Sequence, residues 1–368
     1  MKNNEEKNRV NSVDYLRGVT IACMILVNNP GSWTYVFKPL LHSPWHGCTF
    51  ADLIFPMFIF LVGFSIVLSL TKEKFNSNKQ FVFKKIFFRS IKLFALGLFL
   101  NAFPFFDLNE LRIMGVLQRI ALVFLFSSVL FLYLKETQLT IITFAILIFY
   151  YLSMLYIPFP GKSSDPLSTQ NLASHLDNFF LKGHMWKYSK TWDPEGIFST
   201  LPAISSCLLG VLTGIFYQKN KLLPNKFLFS IFKFGAVLYI FGLIWSYYFP
   251  LNKNLWTSSF VLYSSGICIL TLCLFYFLID IKRLNLLNNI FIPFGSNAIF
   301  AYFLSEITSS LSYHIKIGNI HLRNWIFLNC FKSWLPAFYA SFMVGIMWVI
   351  LCFLPIYILY RKKIYIKV

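Results

Sequence analysis

The chain has 368 residues, of which 57% are hydrophobic, 20% aromatic and only 13% charged, with a mean hydropathy of +0.63. A soluble core of this size cannot hide so much apolar surface, so the composition is that of a polytopic membrane protein. The net charge of +19 comes from basic residues scattered over short connections. They form no basic helix or nucleic-acid module, so they are read as orienting the chain in a bilayer, and nucleic acid is set aside as a partner.

Apolar runs of about 17 to 25 residues cross a bilayer as helices. Ten occur, at 13–29, 52–70, 86–103, 114–134, 139–157, 200–218, 228–249, 257–280, 291–312 and 335–360. Backbone groups in lipid must be satisfied within the segment, and the runs are too long for barrel strands. The expected fold is therefore all-α: a polytopic transmembrane helical bundle of about ten spans. It consists of a tail (1–12), one membrane domain (13–360) and a basic tail (361–368). The segment MKNNEEKNRVNSVDYLRG lacks a small-residue cleavage site, so the first run is expected to be a retained span.

In the first span, Arg17 stands about one turn from Asp14, and a local ion pair is the simple expectation. The connector that follows, Asn28 to Pro56, is dense in polar residues and prolines beside hydrocarbon. His42 is its leading general base, because a neutral imidazole can take and return a proton near physiological pH; the alternative is an interfacial ring bonded to a carbonyl. His46 follows at a spacing that would suit a metal on a helix, but Pro44 between them argues against the helix, and no metal is expected. Asp52 opens the second span. With Thr49 as N-cap it falls at the third helical position, where the dipole favours a carboxylate; alternatively it fixes the tautomer of His42. Asn28 either caps the first helix or donates its amide to a developing oxyanion.

Lys72, Lys74, Lys79, Lys84 and Lys85 crowd the next connection, Lys219, Lys221 and Lys226 a later one, and Arg361, Lys362, Lys363 and Lys367 the end. The positive-inside rule thus places both termini in the cytoplasm, and all six histidines (42, 46, 175, 184, 314, 321) then fall on the outer side. Arg119 and Glu306 are charges within or near spans, tolerated when paired or lining a wet cavity. The 158–199 connection is too long for a plain loop and is expected to lid the outer face. At its end, Asp193 and Glu195 either hold an ammonium or sugar hydroxyls or favour a helix N-terminus. Lys253 and Asn254 form a short polar outer loop. The seven cysteines lie mostly in apolar runs with no CxxC pair, and only Cys48 and Cys330 could meet outside the membrane. No GxSxG, Walker A or dinucleotide fingerprint is present.

Seven pieces in order carry a family resemblance: SVDYLRG (12–18), MILVN (24–28), LHSPWHGCTFADLIFPMFIFLVG (41–63), GVLQRIAL (115–122), DPEGIFSTLPAI (193–204), PLNKNLWTSSFVL (250–262) and PFGSNAIFAYFLSE (293–306). On them the chain resembles the heparan-α-glucosaminide N-acetyltransferases, in the short bacterial form. The resemblance implies an integral protein of the bacterial inner membrane that moves an acetyl group from cytoplasmic acetyl-CoA to an amino sugar on the other side. The family's active histidine, in H-x-x-W-x-G-x-T-x-x-D, falls on His42, its asparagine on Asn28 and the motif aspartate on Asp52. His46 departs from the eukaryotic pattern, which tends to have Asn there. Expected acceptor-binding residues are Trp45, Asp193, Glu195, Lys253 and Asn254. CoA phosphates need cations and donors, for which Arg17, Arg119, Gln118 and Asn297 are the candidates. Direct transfer and an acetyl-imidazole on His42 both remain open, as does a homodimer. The competing reading is an amino-sugar permease; no inverted repeat supports it.

Overall fold

A computed structural model describes residues 10–76, 78–161, 168–285 and 287–366. The N-terminal tail before Val10, residues 162–167 of the long loop, and Lys367 of the basic tail lie outside the described residues. The chain is almost wholly helical: α1 (Asn11–Asn28), α2 (Phe50–Asn76), α3 (Lys79–Ala102), α4 (Val116–Tyr133), α5 (Glu136–Tyr156), α6 (Leu172–Leu181), α7 (Thr200–Asn220), α8 (Pro224–Trp245), α9 (Ser258–Phe275, extended by a π-turn to Ile281), α10 (Asn288–Ser296), α11 (Ala298–His314), α12 (Leu322–Trp325, extended by a π-turn to Phe331) and α13 (Ala337–Arg361). The described strands are β1 (Lys316–Ile317) and β2 (Ile320–His321), an antiparallel pair.

Nine of the ten apolar runs coincide with one helix each, and the run 291–312 with the pair α10–α11. Among the described residues, seven helices are singly long and apolar enough to cross a membrane, and the pair α10–α11, which meet at 88°, brings the number to eight. The two runs outside that number are α1, interrupted by Asp14 and Arg17, and α3, which carries Lys79, Lys84, Lys85, Arg89 and Lys92.

Two compact units make up the chain: residues up to 43 with 49–58 and 275–368, and residues 44–48 with 59–274. In the first, α1 and α10 meet backbone to backbone. A Cβ on Gly18 would lie 1.8 Å from Phe291 O, and one on Gly295 1.8 Å from Asp14 O, so only glycine permits this crossing. The α1 N-terminus is held by Asp280, which accepts from Asn11 N (3.3 Å) and Ser12 N (3.1 Å), an anion where the helix dipole favours one. In the second unit α2 and α7 cross in the same way: a Cβ on Gly63 would stand 1.9 Å from Cys207 O. Lys74 donates to Phe131 O (2.6 Å) and Leu134 O (2.8 Å), placing a cation on the exposed carbonyls at the end of α4. Ser205 to Thr143 O and Ser258 to Leu147 O tie α7 and α9 to α5.

The long loop packs within the second unit. Leu172 and Ala173 of α6 join Tyr150, Met154, Phe249 and Leu255 in one cluster, and Leu181 and Met185 join Met114. His184 is absorbed by ordinary backbone bonding, its Nδ1 2.8 Å from Leu111 O. The seven cysteines, Cys48 and Cys330 among them, are free thiols.

Candidate active site

The first unit holds the histidine. His42 is half-exposed, at 46% of its side chain, while Asp52 is 1% exposed; Nδ1 lies 2.8 Å from Asp52 Oδ1. The other carboxylate oxygen, Oδ2, accepts from Ser43 N and Thr49 N, both at 3.0 Å. An ionised carboxylate only accepts, so the hydrogen between the two side chains sits on Nδ1. In the neutral ring the lone pair is then on Nε2. The sequence offered two roles for Asp52, and the geometry contains both: the third helical position of α2, reaching back to the backbone that precedes it, and the anchor of the imidazole. The Thr49 hydroxyl departs from expectation. It donates to Leu41 O (2.6 Å) and also reaches Asp52 Oδ2 (3.1 Å), so it tethers the loop to the start of the helix.

Asn28 is the last residue of α1 and is half-buried. The helix C-cap, which the sequence offered to Asn28, falls on its neighbour Asn29. Asn29 is buried; its amide donates to Ile25 O (2.8 Å) and Ser305 Oγ (3.1 Å), and its Oδ1 accepts from Arg323 Nη2 (2.8 Å). Arg323, itself 1% exposed, lies over the rings of Tyr313 (4.5 Å) and Trp348 (5.0 Å). Burial pushes its guanidinium below the ordinary value, while Tyr313 and Glu306 pull the other way. Glu306 thus has a cationic neighbour. No local signal marked Arg323, which lies in the polar stretch after β2.

Of the CoA candidates in this unit, Arg17 forms the expected pair with Asp14 (3.1 Å) and also donates to Gly295 O (3.2 Å). Asn297, at the bend between α10 and α11, donates to Ile364 O and accepts from Ile366 N, so its amide is committed to holding the C-terminal segment.

The second unit holds the remaining candidates, and two of them, Asp193 and Glu195, meet an arginine that the sequence reading did not single out. Arg112 grips Asp193 with two bonds, Nε to Oδ2 (2.8 Å) and Nη2 to Oδ1 (2.6 Å), and reaches Glu195 Oε2 (2.5 Å). Burial works against the Arg112 charge, but Glu195 and Asp193 outweigh it and hold the guanidinium above its ordinary value; Glu195, although buried, is held below its own by Arg112, Arg119 and Lys253. The two carboxylates are therefore already paired, and they are not open sites for an ammonium. Asp177 of α6 accepts from Ile197 N (2.9 Å) and Asp193 N (3.3 Å) and fixes the turn that carries them. A Cβ on Gly196 would stand 2.1 Å from Asp177 Oδ2, which explains the glycine of DPEG. Burial raises the Asp177 carboxyl to about 6, against the two N–H bonds.

Arg119 lies in the same cluster. It is fully buried, donates to Ser199 Oγ and Gly196 O, and stacks 5.0 Å over Trp256. Its Nε and Nη1, with Gln118 Nε2 and Asn252 Nδ2, are buried donors with no hydrogen-bond partner among the described residues. Such unpaired donors fit an acceptor-rich ligand, and Arg119 and Gln118 are the CoA candidates whose chemistry fits that group. Trp45 sets its indole edge-on to Trp192 at 5.1 Å. Lys253 and Asn254 are half-buried; the deeply buried residue of that loop is Asn252, two positions earlier, whose Oδ1 accepts from Leu255 N.

The family profile described as the catalytic part of heparan-alpha-glucosaminide N-acetyltransferase matches residues 9–242. The mouse protein of that name is 27% identical over 428 aligned positions, covering 98% of this chain and 61% of its own. The human one is 28% identical over 422 positions, covering 98% and 60%. The chain thus spans about 60% of the length of these relatives.

Proposed function

Because the chain belongs to the heparan-alpha-glucosaminide N-acetyltransferase family, we propose that it is a membrane acyltransferase that moves an acetyl group from acetyl-CoA to the amino group of a glucosamine-like sugar. The observation that carries this reading is the buried carboxylate of Asp52 on Nδ1 of a half-exposed imidazole. Acetyl-CoA, when bound, supplies a thioester with an activated acyl carbon. His42 Nε2 takes the proton of the attacking amine as the C–N bond forms and returns it to the thiolate as the C–S bond breaks. Asp52 holds the ring in the required tautomer and stabilises the imidazolium. Asn28 donates its amide to the acyl oxygen as charge builds there. Arg119 and Gln118 are assigned to the co-substrate through their unpaired donors.

For the acceptor, Trp45 offers an indole face and Lys253 and Asn254 polar heads. Asp193 and Glu195 contribute through Arg112, and would bind an amine directly only by exchanging that partner. The direction of transfer belongs to the same proposal, with lysine-rich ends in the cytoplasm and the His42 loop outside.

The test is transfer of labelled acetyl from acetyl-CoA to glucosamine by the detergent-purified chain. His42→Ala should lower the rate about 100- to 10,000-fold in a chain that still folds. Undiminished turnover would remove His42 from the mechanism. A burst of free CoA without acceptor, with label retained on the protein, would replace direct transfer by an acetyl-imidazole route.

A further inference from the structure

Helices α5, α7 and α8 enclose an open-sided cavity of about 290 Å³ that the acetyl-transfer reading does not use. Its walls are Phe144, Leu212, Phe216, Ile231 and Phe234. Two lining hydroxyls turn away from it: Thr140 Oγ1 donates to Glu136 O (3.0 Å) and Thr213 Oγ1 to Leu209 O (2.8 Å). Below Glu136 and Ser230 the lining is thus mainly apolar, which suits a hydrocarbon chain better than a sugar or nucleotide.

The depth is also defined. From Glu136, the first residue of α5, to Phe144 the helix rises about 12 Å, so the cavity lies within the first turns beneath the membrane surface. Its rim is basic. Lys219, one turn beyond Phe216, pairs with Glu136 at the mouth; Lys226 is exposed one turn before Ser230, which also lines the cavity; Lys135 precedes Glu136. An apolar slot at acyl-chain depth beneath a lysine rim is complementary to one class of molecule.

We propose that this cavity is a binding site for an anionic glycerophospholipid of the leaflet facing these lysines, with one acyl chain between α5, α7 and α8 and the phosphate at Lys219 and Lys226. The site fastens α8, which has few buried side chains, to the α5–α7 pair.

Native mass spectrometry of the detergent-solubilised full chain, titrated with phosphatidylglycerol or phosphatidylcholine, tests it. The unmodified chain should retain one phosphatidylglycerol and bind it at least about fivefold tighter than phosphatidylcholine. Lys226→Gln should weaken phosphatidylglycerol about fivefold and leave phosphatidylcholine unchanged, as expected for one lysine near a headgroup. Ser230→Phe, which fills the slot, should abolish retention of both lipids. Equal binding of the two lipids by the unmodified chain, or full retention by Ser230→Phe, overturns the proposal. Displacement of the lipid by acetyl-CoA, one for one, would overturn it in favour of a co-substrate site. Lys226 is exposed and needed for no packing, so that comparison stands even where Ser230→Phe fails to fold.

Discussion

His42 draws its tautomer from its contact with Asp52. Oδ2 of Asp52 accepts from two backbone N–H groups and the Thr49 hydroxyl, while Oδ1 faces Nδ1, so the hydrogen sits on Nδ1 and the lone pair on Nε2. Asp52→Asn replaces an obligate acceptor by a group that can also donate, so the ring can flip its tautomer. Acetyl transfer should fall about 100- to 10,000-fold while the chain still folds, and a wild-type rate in that variant would show that the tautomer is not limiting. Asp177 makes a second prediction, on stability. Its carboxyl is raised to about 6 in the folded chain. An acid so raised binds its proton more tightly folded than unfolded, so its contribution is full below the unfolded value, about 3.9, and is lost as pH rises to about 6. The difference is on the order of 3 kcal/mol. Melting at pH 4.5 and pH 7.5 should therefore differ more in the unmodified chain than in Asp177→Asn; equal differences would remove Asp177 from the pH response. The pairing of His42 with Asp52 was legible because both fall in one short connector whose second half opens a helix. Asn29 was missed by one position because hydropathy marks a helix end only to within a residue or two.

Elements meet here at points that hydropathy does not mark. The ten apolar runs located the long helices, since each run begins and ends with the bilayer's demand for apolar side chains, but not α6 or α12. The 88° break at Asn297 was not legible, because apolar residues continue on both sides of it. Nor was Arg112: its partners lie 81 and 83 residues later, and only the fold of the long loop, with α6 docked against Tyr150 and Leu255, brings DPEG to it. Removing this arginine leaves two buried carboxylates without their counter-charge. Arg112→Ala should cost about 3–5 kcal/mol in thermal or denaturant unfolding, and Arg112→Lys should recover only part, because an ammonium cannot make the two-pronged contact with Asp193. A loss below 1 kcal/mol for Arg112→Ala would mean that the carboxylates find water in its place. At the α2–α7 crossing, a Cβ on Gly210 would stand 2.0 Å from Phe60 O. Gly210→Ala must push two backbones apart, and a destabilisation of about 1–3 kcal/mol is expected.

At the scale of the whole chain, sidedness rests on an asymmetry of charge. Lys219 ends α7, Lys221 follows it and Lys226 opens α8, whereas the loop from α5 to α7, with His175 and His184, holds few basic residues for its length. Lys135 with Glu136 at one end of α5, and Lys219 with Glu136 across to α7, make that end the polar, cation-rich one. The positive-inside rule predicts that this end faces the cytoplasm and the α6 loop the other side. The prediction can be read with two single cysteines. Cys330 is exposed and Cys48 partly exposed, and either would label on its own, so both are first replaced by serine. In that background His175→Cys should react with an impermeant thiol reagent added to intact spheroplasts, and Lys221→Cys should react only after lysis. The reverse pattern would turn the chain over, and acetyl-CoA from the cytoplasm would then meet the lysine-poor ends of the helices. Labelling of both before lysis would instead mean that the reagent crosses the membrane, which an internal control cysteine on a cytosolic protein would reveal.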